Sequence, residues 1–521
     1  MAEPLTHLSA TRMSELVAKG EISSEALVRA HLERIDVLDR SLRAFTEVLR
    51  AEALEAARRA DAERKAGRVR GPLHGLPVSI KECFDVAGRG TTLGLESRRR
   101  HVATDDAALV AALRDAGAVI LGRTNLSQTM LFHESRNPVF GQTASPWAQT
   151  HTPGGSSGGE GAAIAAGLSP LGLGTDIGGS IRVPACWSGI AGLKPSLDRW
   201  PARGIGTVMR GQEGVRSCPG PMARSARDVA FLFGALDGKL LAARDGRVPP
   251  LPQADPHCVA VGRLRVGWFT DDGFVRPSHA VARAVERAAR ALGDQGAEVV
   301  PFSPPGLGRA VELYFALLSA DGGRTLGAAT QGERLDAVLV SMRRLVELSP
   351  RARHLLARVL RLMGDREVSR VLAVSGEKTV AELWKLTEEA RVYRAALSDA
   401  IDRARLDVIV CPAHANPALP HGLSKDYAIA GSGSMLWNLV QFPAGVVPVT
   451  RVRSEETSRP GARGRLEKRA AEVDHRSAGL PVGVQVVARP WREDLVLAAM
   501  IAIEDAARKD ADFPATPVEP R

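Results

Sequence analysis

The sequence predicts a single large α/β domain spanning 1–521, and three observations carry that prediction. Short apolar runs of strand character recur along the chain, most clearly LDVIVCPA at 406–413, AGVVPVT at 444–450 and LPVGVQVVA at 480–488. Segments with apolar residues at helical spacing lie between such runs. The 521 residues are 45% hydrophobic, enough for one extended core, and no internal repeat divides the chain. Aromatic residues make up only 4%, so aliphatic and alanine side chains must fill that core.

Taken in order, residues 10–60 read as helices, with Ser23 and Ser24 ahead of a stripe formed by Leu27, Ala30, His31, Ile35 and Leu38. GPLHGLPVSIK (71–81) reads as a turn feeding a short strand over 78–80, with Lys81 at its end. DDAALVAALRDAG followed by AVILGRT (105–124) reads as helix then strand. The stretch 152–195 departs from this rhythm because glycine crowds it. The rhythm returns with the strand RLRVGWF (263–269). A helix follows, capped by Ser278, with Val281, Val285, Ala288, Ala289 and Leu292 on one face. The polar stretch over 453–478 reads as a long surface loop.

Composition excludes several classes of function. The net charge of +10 comes from 69 basic and 59 acidic residues spread along the whole chain. This favours solubility over a nucleic-acid footprint, and no nucleic-acid partner is expected. Five cysteines without a CxxC pair argue against a disulfide framework and a structural zinc site. Together with an N-terminus that lacks a secretory pattern, they point to a cytoplasmic protein. No run of about 18 apolar residues suggests a membrane span. The 12 histidines show no metal-ligand spacing, and neither HExxH nor a Walker A string occurs, so no metal or cofactor is expected.

Two serines compete as nucleophile. Gly155-Ser156-Ser157-Gly158-Gly159 matches GxSxG and nominates Ser157, but HTPGG precedes it where a nucleophile elbow needs a strand. Ser180 is the better candidate. It ends LGLGTDIGGS, where Gly178 and Gly179 let the backbone approach a substrate closely. The amides of Ile177, Gly178, Gly179 and Ser180 could then converge on an oxyanion, each such donor being worth roughly 2.7–4 kcal/mol. A serine hydroxyl needs a base. Lys81 can serve if burial keeps it neutral, although a lysine paired with Glu82 or Asp85 is the better explanation of an isolated SIKE.

The combination LHGLPVSIKECFD, GGSSGGEGA and GLGTDIGGSIRVPACWSGIAGLKPS resembles the amidase-signature family. The resemblance implies an α/β fold with a large twisted mixed β-sheet flanked by helices on both sides, with the signature core over about 70–235. It implies Lys81 as base, Ser156 as bridging serine after a cis peptide bond, and Ser180 as nucleophile. Ser156 and Ser180 stand 24 residues apart, the spacing the family keeps. Ser157, Asp176 and Arg182 match supporting positions of the motif.

Within the family the likeness is to the fatty-acid amide hydrolase branch. It runs through SIKECF, NPVFGQT, SSGGEGA, PLGLGTDIGGSIR, DGGRT, AELWKL, QFPAGVVPVT and AGLPVGVQ, and Glu160 and Cys186 also fit. It implies a small-molecule substrate, a long-chain fatty-acid amide, with Met130, Leu131 and Phe132 at the acyl site. His133 stands where the animal enzyme is aromatic and apolar. Residues 348–372 put Leu348, Leu355, Leu356, Val359, Leu360 and Met363 on one face. Arg351, Arg353, Arg358, Arg361, Arg366 and Arg370 form a basic side. Peripheral membrane contact and simple core packing are equally consistent with that pattern. Three further readings stay open: an amidase for short, aryl or peptide amides, an amidotransferase A-type subunit, and a homodimeric assembly.

Overall fold

The computed structural model describes residues 3–236 and 238–521. Its strands are β1 (Phe45–Val48), β2 (Pro77–Lys81), β3 (Val119–Thr124), β4 (Arg136–Asn137), β5 (Gly141–Gln142), β6 (Leu171–Asp176), β7 (Ala191–Lys194), β8 (Cys218–Ala223), β9 (Arg265–Trp268), β10 (Glu298–Pro301), β11 (Val408–Cys411), β12 (Ala444–Arg451) and β13 (Pro481–Ala488). Eleven of these form one sheet in the order β1-β3-β2-β6-β8-β7-β12-β13-β11-β9-β10, and β4 pairs with β5 separately. The sheet is mixed. Parallel pairs link β3, β2 and β6 at one end and β11, β9 and β10 at the other, and antiparallel pairs run from β6 through β8, β7, β12 and β13 to β11. This is the expected large mixed sheet with helices packed against it.

The central strands are buried along their length, which is why β6, β11 and β13 read as near-continuous apolar runs and not as alternation. Ser23 caps the helix Ser24–Leu42 by accepting the Ala26 amide at 3.1 Å, and Leu27, His31 and Ile35 on that helix are buried. Ser278 caps His279–Gly293 by accepting the Val281 amide at 3.2 Å. Among the described residues no helix is long and apolar enough to cross a membrane.

Three sequence expectations need correction. The 10–60 region contains an edge strand, β1, as well as helices; FTEV is too short to show a period. The 453–478 stretch is not a loop throughout, because Gly464–His475 is a helix. Its apolar residues are few, but Leu466, Ala470 and Val473 recur at helical spacing and are buried. Residues 348–372 form two helices, Pro350–Leu362 and Arg366–Val374, and not one. The break follows Gly364, whose φ of 91° lies outside the helical region. Arg353 does not belong to a basic outer side either: it is buried and donates to the Ser375 carbonyl at 2.6 Å.

Candidate active site

Lys81 ends β2 with its side chain fully buried. β3 and β6 pair with β2 on either side, and the Lys81 ammonium meets Thr175 of β6 and Ser156 of the glycine-rich segment. Nζ donates to Ser156 Oγ at 2.7 Å and to Thr175 Oγ1 at 2.8 Å. Among the described residues it makes no ion pair. Burial lowers its pKa to about 8, and Cys83, Asp176 and Glu160 oppose that shift without cancelling it.

Ser156 follows a cis peptide bond from Gly155. A Cβ at Gly155 would sit 2.5 Å from the Phe132 carbonyl oxygen and 2.6 Å from the Glu134 amide, so only glycine fits beside that backbone. Ser135 Oγ fastens the turn by accepting the Gly158 amide at 2.8 Å and donating to the Ser156 carbonyl at 3.3 Å. Ser157 turns away from the lysine. Its Oγ lies 3.4 Å from both the Thr175 amide and the Thr175 carbonyl, and its amide donates to the Ser180 carbonyl at 3.1 Å.

Ser180 follows β6 on a loop that wraps around the Asp176 carboxylate. Asp176 accepts the amides of Gly179 (2.9 Å), Ile181 (3.1 Å) and Arg182 (3.3 Å). Arg182 closes the other side in a bidentate pair, Nη2 to Oδ1 at 2.8 Å and Nε to Oδ2 at 3.0 Å. Both side chains are fully buried. Burial would raise the Asp176 pKa, but Arg182 outweighs it and holds the carboxyl well below the usual range. The remaining guanidinium hydrogens go to Ser434 O (2.9 Å), Gln485 Oε1 (2.6 Å) and Asn438 Oδ1 (2.5 Å), so the buried charge is fully satisfied.

The arrangement departs from expectation in two respects. Of the four amides assigned to an oxyanion site, that of Gly179 is committed to Asp176, whereas those of Ile177, Gly178 and Ser180 have no protein acceptor among the described residues. Lys81 and Ser156 meet directly, but no hydrogen bond joins the Ser156 and Ser180 hydroxyls among the described residues. Catalytic hydrogen bonds are often long until substrate binds. Leu131 and Phe132 line a cavity, while Met130 turns inward and brings its Sδ within 4.0 Å of Thr175 Oγ1.

Sequence reading missed Thr175, Tyr314, Asn438 and Gln485, all of which touch this site. Thr175 and Gln485 carried a usable signal, each being a polar residue inside an apolar strand. Glu160 accepts the hydroxyls of Ser79 (2.6 Å) and Thr124 (2.8 Å), and burial pushes its carboxyl up to about 8.

The family model described as Amidase matches residues 26–497. Fatty-acid amide hydrolase 1 of Sus scrofa is 36% identical over 511 residues, spanning 96% of this chain and 86% of that one. A solved fatty acid amide hydrolase superposes with a TM-score of 0.84 at 28% identity, over 97% of this chain and 87% of its own. The native peptide amidase from Stenotrophomonas maltophilia does so with a TM-score of 0.73 at 27% identity, over 97% and 98%. Fold and likeness together define a hydrolase that acts on carboxylic amide bonds. The chain belongs to the amidase family.

Proposed function

We propose that this protein hydrolyses long-chain fatty-acid amides through an acyl-enzyme on Ser180. The observation that carries the mechanism is a buried lysine, with no ion pair among the described residues, that donates to the Ser156 hydroxyl beside a loop whose Ile177, Gly178 and Ser180 amides have no acceptor among those residues. Neutral Lys81 takes a proton from Ser156, which takes one from Ser180 as Ser180 Oγ attacks the amide carbon. The tetrahedral oxygen settles on backbone amides of the 177–180 loop. The proton then passes back through Ser156 to the leaving nitrogen as the C–N bond breaks, and water repeats the sequence on the ester.

The cavity that Leu131 and Phe132 line supports a long-chain substrate. It encloses about 610 Å³, and Leu318, Met342, Leu356 and Leu372 are among its walls. That volume, with its mostly apolar walls, has room for an extended apolar group. Across primary amides from acetamide to oleamide, kcat/KM should climb by up to about 4-fold per buried methylene. A profile that peaks at short or aryl amides contradicts the substrate assignment and leaves the catalytic residues standing.

The cavity wall also bears on membrane contact. Leu356 and Leu360 face the cavity from Pro350–Leu362, while on the outer side Leu355, Leu362 and Met363 are 65%, 88% and 57% exposed. Arg351, Arg358, Arg361 and Arg366 surround them, also exposed. An apolar ridge ringed by arginines suits the interface of an anionic bilayer, from which a fatty amide would enter the cavity. The protein should co-sediment with anionic vesicles at low salt. Replacing Leu355, Leu362 and Met363 together by serine should abolish this while sparing turnover of a soluble amide. A wild-type protein that stays in the supernatant contradicts this docking mode.

A further inference from the structure

Two side chains outside the catalytic set reach the backbone of the loop before Ser180. Tyr314, from the helix Leu307–Leu318, donates its hydroxyl to the Ile177 carbonyl at 3.1 Å. His133 Nε2 lies 3.2 Å from the Gly178 carbonyl oxygen. A carbonyl can only accept, so Nε2 carries the proton. Both rings are buried.

These contacts matter because a trans peptide is a rigid plane with C=O and N–H pointing opposite ways. Fixing the Ile177 carbonyl on Tyr314 turns the Gly178 N–H to the far side. There it has no protein acceptor among the described residues. The next plane is held at both ends, with the Gly178 carbonyl on His133 and the Gly179 amide on Asp176. The Gly179–Ser180 plane follows, its carbonyl accepting the Val183 amide at 2.7 Å. Sequence and geometry agree on this packing. A Cβ at Gly178 would stand 2.4 Å from the Tyr314 hydroxyl, and Gly179 takes a φ of 106° that side chains rarely adopt. The His133 ring is wedged edge-on against Trp187 (6.5 Å, 83°) and His414 (6.0 Å, 75°), so its donor cannot swing away.

We propose that His133 and Tyr314 are positioning residues that lock the Ile177–Gly178 and Gly178–Gly179 peptides and so aim the Gly178 amide at the oxyanion. This rests on Ser180 being the nucleophile.

Tyr314→Phe removes one hydroxyl, and His133→Phe keeps a ring without a donor. Each should lower kcat about 3- to 10-fold, the worth of one oriented hydrogen bond, with KM unchanged. Labelling of Ser180 by a fluorophosphonate should slow in proportion. His133→Gln, which returns an N–H near the Nε2 position, should recover most of the loss. Wild-type kcat in both phenylalanine variants overturns the proposal. So does a rise in KM at constant kcat, which would make these rings mere pocket walls, or equal impairment of His133→Gln and His133→Phe. Ser180→Ala, measured alongside, separates the two levels. If it is inactive while the phenylalanine variants run at full rate, only the positioning role fails. If it still turns over, both fail.

Discussion

Ser180→Ala should reduce kcat/KM by about 10⁴- to 10⁶-fold while leaving the unfolding midpoint within about 2 °C of wild type. The two halves of this expectation have separate origins. Activity disappears because no other hydroxyl follows the 177–179 loop, and an alanine methyl cannot form the acyl-enzyme bond. Stability persists because the Ser180 hydroxyl has no protein hydrogen-bond partner among the described residues, so its removal orphans nothing. Ser157→Ala is the informative companion. Ser157 satisfies the GxSxG string, but its hydroxyl faces the Thr175 backbone. That variant should keep measurable turnover. A dead Ser157→Ala beside an active Ser180→Ala would transfer the nucleophile to the other serine.

Lys81→Met should cost about 10²- to 10⁴-fold, the usual contribution of a positioned base, and should also abolish the acid limb of the pH profile. The sign follows from burial. A lysine must be neutral to accept a proton, and removal from water disfavours its charged form. With a pKa of about 8, roughly a tenth of Lys81 is neutral at pH 7, against about 1 in 2,500 for an ordinary lysine. In the wild type kcat/KM should therefore rise about tenfold per pH unit below 8 and level off above it. Glu160 ionises in the same range, so its variant identifies the group responsible. Glu160→Gln keeps the hydrogen-bonding shape and should retain the limb. A limb that vanishes in Glu160→Gln and survives in Lys81→Met contradicts the assignment.

Lys81 and Ser180 were visible as candidates because each ends a string of odd composition, a lysine closing an apolar strand and a serine after two glycines, but Ser156 and the grouping of the three came from the family resemblance. The sheet was legible for a related reason, since buried strands such as β11 and β13 announce themselves by unbroken apolar content. What the sequence hid is non-local. Nothing near Tyr314 says that its hydroxyl meets a loop more than a hundred residues away, and Asn438 and Gln485 matter only because the fold brings them to Asp176 and Arg182. The partner of the Gly179 amide was not legible either, because the GGS string does not reveal that Asp176 accepts it. The 464–475 helix was missed because three buried apolar residues in a polar run are enough to bury one face but too few to stand out.

The most direct test is to label the wild-type protein with a fluorophosphonate and map the modified peptide by mass spectrometry. A serine activated by a neutral buried lysine should give one adduct, on Ser180, formed faster as pH rises toward 8 and absent in Ser180→Ala. An adduct on Ser156, Ser157 or another serine, or no adduct in a preparation that still hydrolyses amides, would contradict the account.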